Sequence, residues 1–186
     1  MKKLEHLSEI YNLYDTYIID LWGVMHNGIK LNERAIEVIE NLSSKNKRIV
    51  FLSNAPRPSK NVIWFLKKLK MKKKFLKNVF TSGEAAIKSL KAKKFGEKFF
   101  HIGPERDSPL FQGLEKNKTN MTNCDFILCT GLFDEHEDLE YYRNLFKEKV
   151  SKKLVCTNPD LTVHRGNKKE FCAGKIAEIY NSLGGK

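Results

Sequence analysis

The sequence lacks any apolar run that approaches the roughly 20 residues needed to cross a membrane. The first residues, Met1–His6, lead into no apolar core of the kind that a signal peptide carries. Cysteine is also scarce, and neither a Cys-x-x-Cys pair nor a zinc-like His spacing joins Cys124, Cys129, Cys156 and Cys172. We therefore expect a soluble cytoplasmic protein with reduced thiols and no membrane partner.

Acidic residues are few beside basic ones, with 22 Asp and Glu against 34 Lys and Arg and a formal net charge of +12. A positive field attracts nucleic acid, and it attracts small phosphate esters equally well. The densest basic stretch, Lys67–Lys74, interleaves its lysines with apolar residues at roughly helical spacing. That pattern is typical of an amphipathic helix with a solvated face, so we do not expect nucleic acid as a partner. With 41% hydrophobic residues, the chain can bury a core as one domain or two small ones.

Two apolar runs each end in polar groups. The first, Tyr17–Asp20, closes on a carboxylate and is followed by glycines at Gly23 and Gly28. The second, Arg48–Leu52, leads into the polar stretch Ser53–Ser59. An Asp that closes a strand is often only a turn former or a cap. The helical stretch between the two runs indicates a βαβ unit, however, and the carboxyl ends of parallel strands form the ligand crevice of such sheets.

The spacing of apolar residues in the rest of the chain predicts an α/β protein. A second series of strands and helices begins near residue 98. Further strands are predicted at 78–81, 99–103, 126–131 and 153–157, and helices at 4–15, 33–44, 60–69, 85–92, 139–150 and 170–183. His26–Gly28 predicts a tight hairpin with His26 as a turn residue.

Three ordered segments carry a family resemblance. Asp20–Met25 resembles the first motif of the haloacid dehalogenase (HAD) superfamily, Asp-x-Asp-Gly-[Thr/Val]-[Leu/Val], and Ser53-Asn54 resembles the second. Thr157–Asp160 resembles a cap-domain signature of subfamily IIA, the nitrophenylphosphatase-like or NagD-like phosphatases, in a branch with Trp in the first motif. The resemblance covers nearly all of the chain. It implies a three-layer Rossmann-like core with an inserted α/β cap, which we place at residues 1–90 and 91–186.

The resemblance also implies motifs that we do not find. A Lys in Gly-Lys-Pro and an acidic metal-binding loop should follow the cap, but Gly185-Lys186 precedes no Pro, and Gly174-Lys175 falls inside the last predicted helix. We therefore expect an incomplete core that lacks two strands, from a partial reading frame or a shortened chain. Such a chain is expected to be poorly soluble or oligomeric, to bind Mg²⁺ weakly, and to be inactive by itself.

The implied chemistry begins at the first motif. Asp20 would attack phosphorus to form an aspartyl-phosphate, and would hold Mg²⁺ together with the backbone carbonyl of Trp22. Ser53 would donate its hydroxyl to the phosphoryl group while Asn54 positions the loop.

The implied cap residues surround a predicted strand end. Asn158, Asp160, His164 and Arg165 would contact a small phosphorylated substrate. Asn158–Asp160 could equally be only a turn, and Arg165 only a solvent-exposed residue.

Trp22 departs from the family pattern. Phosphatases of this superfamily carry there a second Asp, the general acid, and an indole cannot exchange a proton in that role. Positioned acid catalysis contributes roughly 10²–10⁴ in rate. Our leading hypothesis is a Mg²⁺-dependent hydrolase of a small phosphate ester. The alternative is a non-catalytic phospho-ligand or nucleic-acid binding module on the same fold, which Trp22 and the lysine excess favour.

Overall fold

A computed structural model describes residues 3–147 and 150–186, and shows the predicted α/β fold. The chain forms two compact units. The first holds the described residues as far as Ser53 together with Ile63–Phe80, and the second holds Asn54–Val62 and Thr81–Lys186. The assignment of 1–90 to a core segment and 91–186 to a cap stays a prediction. No helix in the described part of the chain is long and apolar enough to span a membrane.

The first sheet has the strand order β1-β2-β3, and β1 and β2 are parallel, with Ile19 beside Phe51. Its elements are β1 (Thr16–Ile19), α1 (Glu33–Ser44), β2 (Arg48–Ser53), α2 (Ser59–Lys68) and β3 (Val79–Thr81). The α1 prediction is confirmed because its signals are local. The Asn32 side chain accepts a hydrogen bond from the backbone N–H of Ala35, and Ile39 and Leu42 are buried.

The second sheet is parallel, with the order β4-β5-β6. The second unit contains α3 (Ser82–Lys91), β4 (Phe99–Ile102), β5 (Phe126–Cys129), α4 (Leu139–Phe146), β6 (Lys153–Cys156), β7 (Thr162–Arg165), β8 (Lys168–Phe171) and α5 (Ala173–Ser182). All four residues of β5 are buried. Phe126 and Leu128 join a cluster with Leu90 of α3, while Ile127 and Cys129 join one with α4 and α5. Helical layers therefore cover both faces of this sheet, as a parallel sheet requires.

The predicted leading helix at 4–15 is wrong. The structure has two short 3₁₀ segments there, Leu7–Glu9 and Tyr11–Leu13, and neither contains a buried residue. Leu13 is 70% exposed. Short helices gain most of their stability by burying an apolar face, so apolar spacing without a burying partner does not produce one.

The last predicted helix begins too early. Residues 170 and 171 belong to β8, which pairs with β7 in an antiparallel hairpin that the sequence analysis missed, and α5 begins at Ala173. Gly166 has φ +60° in the hairpin loop, a left-handed conformation that glycine adopts without strain. Helix α4 ends at Phe146, short of the predicted Val150, and the intervening residues 148 and 149 lie outside the described residues.

Candidate functional site

The parallel pairing of β1 and β2 brings two predicted site residues to one edge of the first sheet. Asp20 directly follows Ile19, and Ser53 is the last residue of β2, two positions beyond the Phe51 that pairs with Ile19. Asp20 is exposed and its Oδ1 accepts a hydrogen bond of 2.7 Å from the backbone N–H of Leu21. Ser53 is only 6% exposed. The fold therefore presents a carboxylate to solvent at the strand end and a hydroxyl in a sheltered position on the neighbouring strand.

The chain that follows Asp20 forms a compact turn. The carbonyl oxygen of Leu21 accepts from the backbone N–H groups of Met25 and His26 at 2.9 and 3.1 Å, and Gly23 donates to the His26 carbonyl at 2.8 Å. Gly23 has φ +79°, so the turn needs a residue that tolerates the left-handed region. Leu21 and Met25 are each 1% exposed and anchor the turn in the unit's interior. The segment after Asp20 is thereby held by buried side chains and by its own backbone.

Trp22 occupies the position where the resemblance expects a general acid. Its ring lies edge-on to the His26 ring, with centroids 5.3 Å apart, and the His26 and Phe65 ring centroids are 5.4 Å apart. His26 is 4% exposed and its Nδ1 accepts from the backbone N–H of Gly28 at 3.1 Å. His26 is therefore a buried turn residue, in agreement with the interpretation that the sequence favoured.

Three predicted binding residues interact with one another in the second unit. The Asn54 side-chain amide donates to the Asp160 carboxylate, with Nδ2 and Oδ2 2.6 Å apart. The Asn158 side-chain oxygen accepts from the backbone N–H of Asp160 at 3.1 Å, which is the arrangement of an Asx turn. Of the two interpretations left open for Asn158–Asp160, the turn is present in the structure. Whether these residues also contact a substrate stays a prediction.

His164 and Arg165 lie on β7 of the hairpin. His164 is exposed and pairs across the hairpin with Lys169. The Arg165 Nε lies 3.3 Å from both carboxylate oxygens of Glu170. Their assignment to a substrate stays a prediction, and the contact with Glu170 gives Arg165 a structural role as well.

Sequence reasoning missed Arg57 and Asp107. The Arg57 Nε donates to the Asp107 carboxylate at 3.0 Å, although Asp107 is only 2% exposed. Burial raises the pKa of Asp107, and the neighbouring Arg57 charge opposes that rise. A signal for Arg57 existed, because a cation between Pro56 and Pro58 sits on a conformationally restricted loop. Nothing in the local sequence marks Asp107.

A buried histidine lies close to Asp107. The His101 Nε2 is 2.9 Å from the Thr130 hydroxyl, and that hydroxyl also interacts with the Asp107 carboxylate. Burial, with the charge of Lys118, lowers the pKa of His101 to about 4. His101 is therefore neutral near pH 7 and cannot serve there as a cationic ligand.

The four cysteines are free thiols, as predicted. Burial raises the pKa of Cys129 well above that of an exposed thiol, and raises that of Cys156 as well. These two thiols are therefore protonated and poor nucleophiles at neutral pH.

The donor set near Asp20 can be tested against the implied Mg²⁺. Mg²⁺ prefers oxygen ligands and commonly takes one or two carboxylates, with water and substrate phosphate completing its shell. The Asp20 carboxylate and the Trp22 carbonyl are donors of that type, and Asp20 is exposed to solvent. Among the described residues, no group of three His, Cys, Asp or Glu side chains is arranged to hold a metal. The donors present fit a site completed by water and phosphate oxygens.

Comparisons with known proteins converge on one family. Residues 17–115 match the family model described as haloacid dehalogenase-like hydrolase. A search of curated proteins found no match. A solved haloacid dehalogenase-like hydrolase from Brucella suis superimposes with a TM-score of 0.88 at 32% identity, over 99% of this chain and 68% of that chain.

Two further structures share the fold at lower identity. A 4-nitrophenylphosphatase from Thermotoga maritima has a TM-score of 0.66 and 24% identity, over 95% of this chain and 67% of its own. A p-nitrophenyl phosphatase from Archaeoglobus fulgidus has a TM-score of 0.68 and 19% identity, over 92% of this chain and 66% of its own. These likenesses agree with the predicted subfamily at the level of fold.

Proposed function

This chain belongs to the haloacid dehalogenase-like hydrolase family, and we propose that it hydrolyses a small phosphate monoester through Asp20. The observation that carries the proposal is the exposed Asp20 carboxylate at the end of β1, with Ser53 ending the parallel neighbour β2. The similar structures from Thermotoga maritima and Archaeoglobus fulgidus are of phosphatases, which supports the same reaction class.

The proposed reaction has two steps. An Asp20 carboxylate oxygen attacks phosphorus, and the bond from phosphorus to the ester oxygen breaks, leaving an aspartyl-phosphate and an alcohol or phenol anion. Water then attacks the phosphorus, releases inorganic phosphate and restores the carboxylate. Ser53 would donate a hydrogen bond to a phosphoryl oxygen, where negative charge must be stabilised in both steps.

Asp20 and the Trp22 carbonyl would hold Mg²⁺, which when bound neutralises charge on phosphoryl oxygens. The Asp20 carboxylate must be deprotonated both to ligate a cation and to attack phosphorus.

The test is a phosphatase assay with p-nitrophenyl phosphate and Mg²⁺, on the protein with any residues that its reading frame carries beyond Lys186. We expect turnover that Asp20→Asn abolishes, because an amide is not a nucleophile at phosphorus. Asp15→Asn is the matched control, since Asp15 is a fully exposed carboxylate shortly before β1 and should be dispensable. Equal activity of the Asp20→Asn and unmodified proteins would remove Asp20 from the reaction.

The second candidate is a non-catalytic phospho-ligand or nucleic-acid binding module. Trp22 favours it, because its indole N–H is only a donor and cannot act as the proton-transferring acid that other members place there. The same assay separates the two candidates. A protein that binds inorganic phosphate, loses that binding in Ser53→Ala and never turns over p-nitrophenyl phosphate is a binding module.

A further inference from the structure

The five-residue loop 54–58, which directly follows Ser53 and precedes α2, is held by the start of α3. The Ala55 carbonyl accepts from the Gly83 backbone N–H at 3.1 Å and from the Ser82 hydroxyl at 3.0 Å. The Thr81 hydroxyl donates to the Arg57 carbonyl at 2.7 Å. These contacts lie within the second unit. They hold the loop backbone at Ala55 and at Arg57.

The loop backbone at Arg57 and the start of α3 at Gly83 pack in close contact. A Cβ added to Gly83 would lie 2.3 Å from the backbone nitrogen of Arg57 and 2.4 Å from its carbonyl oxygen. Real Cβ atoms do not approach backbone atoms so closely. The Arg57 backbone therefore packs directly against the first turn of α3.

The side chains of Asn54 and Arg57 are each held by a carboxylate that is distant in the sequence. Asp160 accepts from Asn54 at 2.6 Å across 106 residues, and Asp107 accepts from Arg57 at 3.0 Å across 50 residues. Hydrogen bonds to ionised acceptors are stronger than neutral ones. The two carboxylates therefore restrain the loop near its start and at its middle.

Asp107 is placed so that this restraint is rigid. Asp107 is 2% exposed, and its carboxylate also accepts a hydrogen bond from the Thr130 hydroxyl. Thr130 is in turn packed against His101, which is 5% exposed. A buried carboxylate needs its partners, because leaving it unpaired is strongly unfavourable.

We propose that Asp160 and Asp107 are positioning residues that hold the phosphate-binding loop through Asn54 and Arg57, and that Asp160 does so in place of touching substrate. The proposal rests on the proposed function, because it gives the loop after Ser53 the task of binding phosphate. A loop that must place donors on a phosphoryl group gains from a fixed geometry, since small displacements weaken such contacts sharply.

The test combines loop dynamics with phosphate binding on the whole chain. Hydrogen exchange followed by mass spectrometry reports on the backbone amides of Asn54, Ala55 and Arg57, since Pro56 and Pro58 have no N–H. Titration with inorganic phosphate gives a dissociation constant. We expect Asp160→Ala to speed exchange in the loop and to weaken phosphate binding about tenfold, as the loss of one charge-assisted hydrogen bond does. Asp160→Asn keeps an oxygen acceptor and should restore most of both properties.

The controls make each outcome decisive. Asp138→Ala removes a carboxylate that accepts one backbone hydrogen bond at the start of α4 in the same unit, and it should change neither readout. Asp107→Asn, which keeps the shape of the side chain and an acceptor oxygen, should affect loop exchange less than Asp160→Ala. Circular dichroism melting confirms that each variant is folded.

Failure of the inference differs from failure of the proposed function. Phosphate binding that Ser53→Ala weakens but Asp160→Ala leaves intact, with unchanged loop exchange, overturns the inference alone. A folded protein that binds no phosphate overturns the proposed function and, with it, the role given to the loop.

Discussion

Trp22 is the residue whose chemistry departs most from the reaction we propose. Its ring is half-buried and packs against His26, so it supplies shape and no exchangeable acid. A leaving oxygen that needs a proton would then have to take it from solvent. Esters of acidic alcohols need no such help, because their anions are already stable.

We therefore predict a strong dependence on the leaving group. The ratio of p-nitrophenyl phosphate turnover to alkyl phosphate turnover should be larger in this protein than in a family member that carries the general acid. Trp22→Asp should raise alkyl phosphate turnover by up to roughly 10²-fold, the lower end of general acid catalysis. Steady-state rates over a series of esters measure this.

The controls for that series are two other tryptophan substitutions. Trp22→Phe keeps an aromatic ring without introducing an acid, and Trp64→Asp places an acid on a tryptophan that is 58% exposed elsewhere. Neither should raise alkyl phosphate turnover. Equal rates for alkyl and nitrophenyl esters in the unmodified protein would show that another group already supplies the proton.

His101 predicts how stability changes with pH. Its pKa falls from 6.5 to about 4 on folding, so the unfolded chain binds a proton in a range where the folded chain does not. The part of the unfolding free energy that depends on neutral His101 is fully present above pH 6.5, and it is lost as the pH falls from 6.5 towards 4. The full difference corresponds to roughly 3 kcal/mol of unfolding free energy.

Urea unfolding between pH 4 and 7.5 tests this expectation, with the range set by the two pKa values. His101→Gln should flatten the acid limb of the stability curve, because the substituted side chain does not titrate. His164→Gln is the control, since His164 is exposed and should leave the limb as it was. An acid limb of the same slope in His101→Gln would assign the acid sensitivity to other groups.

The residues of the candidate site were predictable only where their signal was local. Asp20 and Ser53 could be assigned from strand ends, because parallel strands must finish at one edge of a sheet. The pairing of Asn54 with Asp160 spans 106 residues and leaves no mark on either segment. Such contacts depend on how β6, α3 and the loop pack, which periodicity does not encode.

At the level of secondary-structure elements, helix bounds were predicted correctly where the local sequence signals agreed and were recognised. Helix α1 was predicted at its observed bounds because an Asn cap and an inward stripe of apolar residues agree. Helix α3 begins at Ser82, three residues before the predicted start, since Thr81 caps it by accepting from the Glu84 backbone N–H at 3.0 Å. The sequence near Thr81 was interpreted only as the end of a strand.

The hairpin β7–β8 was missed although a local signal for it was present. Gly166-Asn167 is a two-residue turn signal between β7 and β8, and this signal was present in the sequence. The apolar positions around Phe171 and Ile176 suggested instead that the helix began early. Phe171 is 45% exposed, so it was never part of the buried face that a helix requires.

At the scale of the molecule, one face of the first sheet is unusually apolar. Ile18 of β1, Leu52 of β2 and Phe80 of β3 are 68%, 53% and 52% exposed. Parallel strands are normally covered on both faces, and β1 lies at an end of the described sheet. An exposed apolar face beside an edge strand favours association between chains.

We expect the 186-residue chain to self-associate through this face. Sedimentation velocity over a range of concentrations should show dimers or larger species, and Ile18→Lys should shift the distribution towards monomer. Leu13→Lys is the matched control, because Leu13 is 70% exposed but precedes the sheet. A chain that stays monomeric at every concentration would contradict the expectation.

In the proposed reaction Asp20 forms a covalent bond to phosphorus, and one measurement tests this directly. The protein, with any residues its reading frame carries beyond Lys186, is mixed with p-nitrophenyl phosphate and Mg²⁺, quenched in acid, and digested for mass spectrometry. We predict one added phosphoryl group on the peptide that contains Asp20, accumulating because Trp22 cannot activate the water of the second step. Release of nitrophenol with no phosphoryl group on that peptide, at an equal rate in Asp20→Asn, would contradict it.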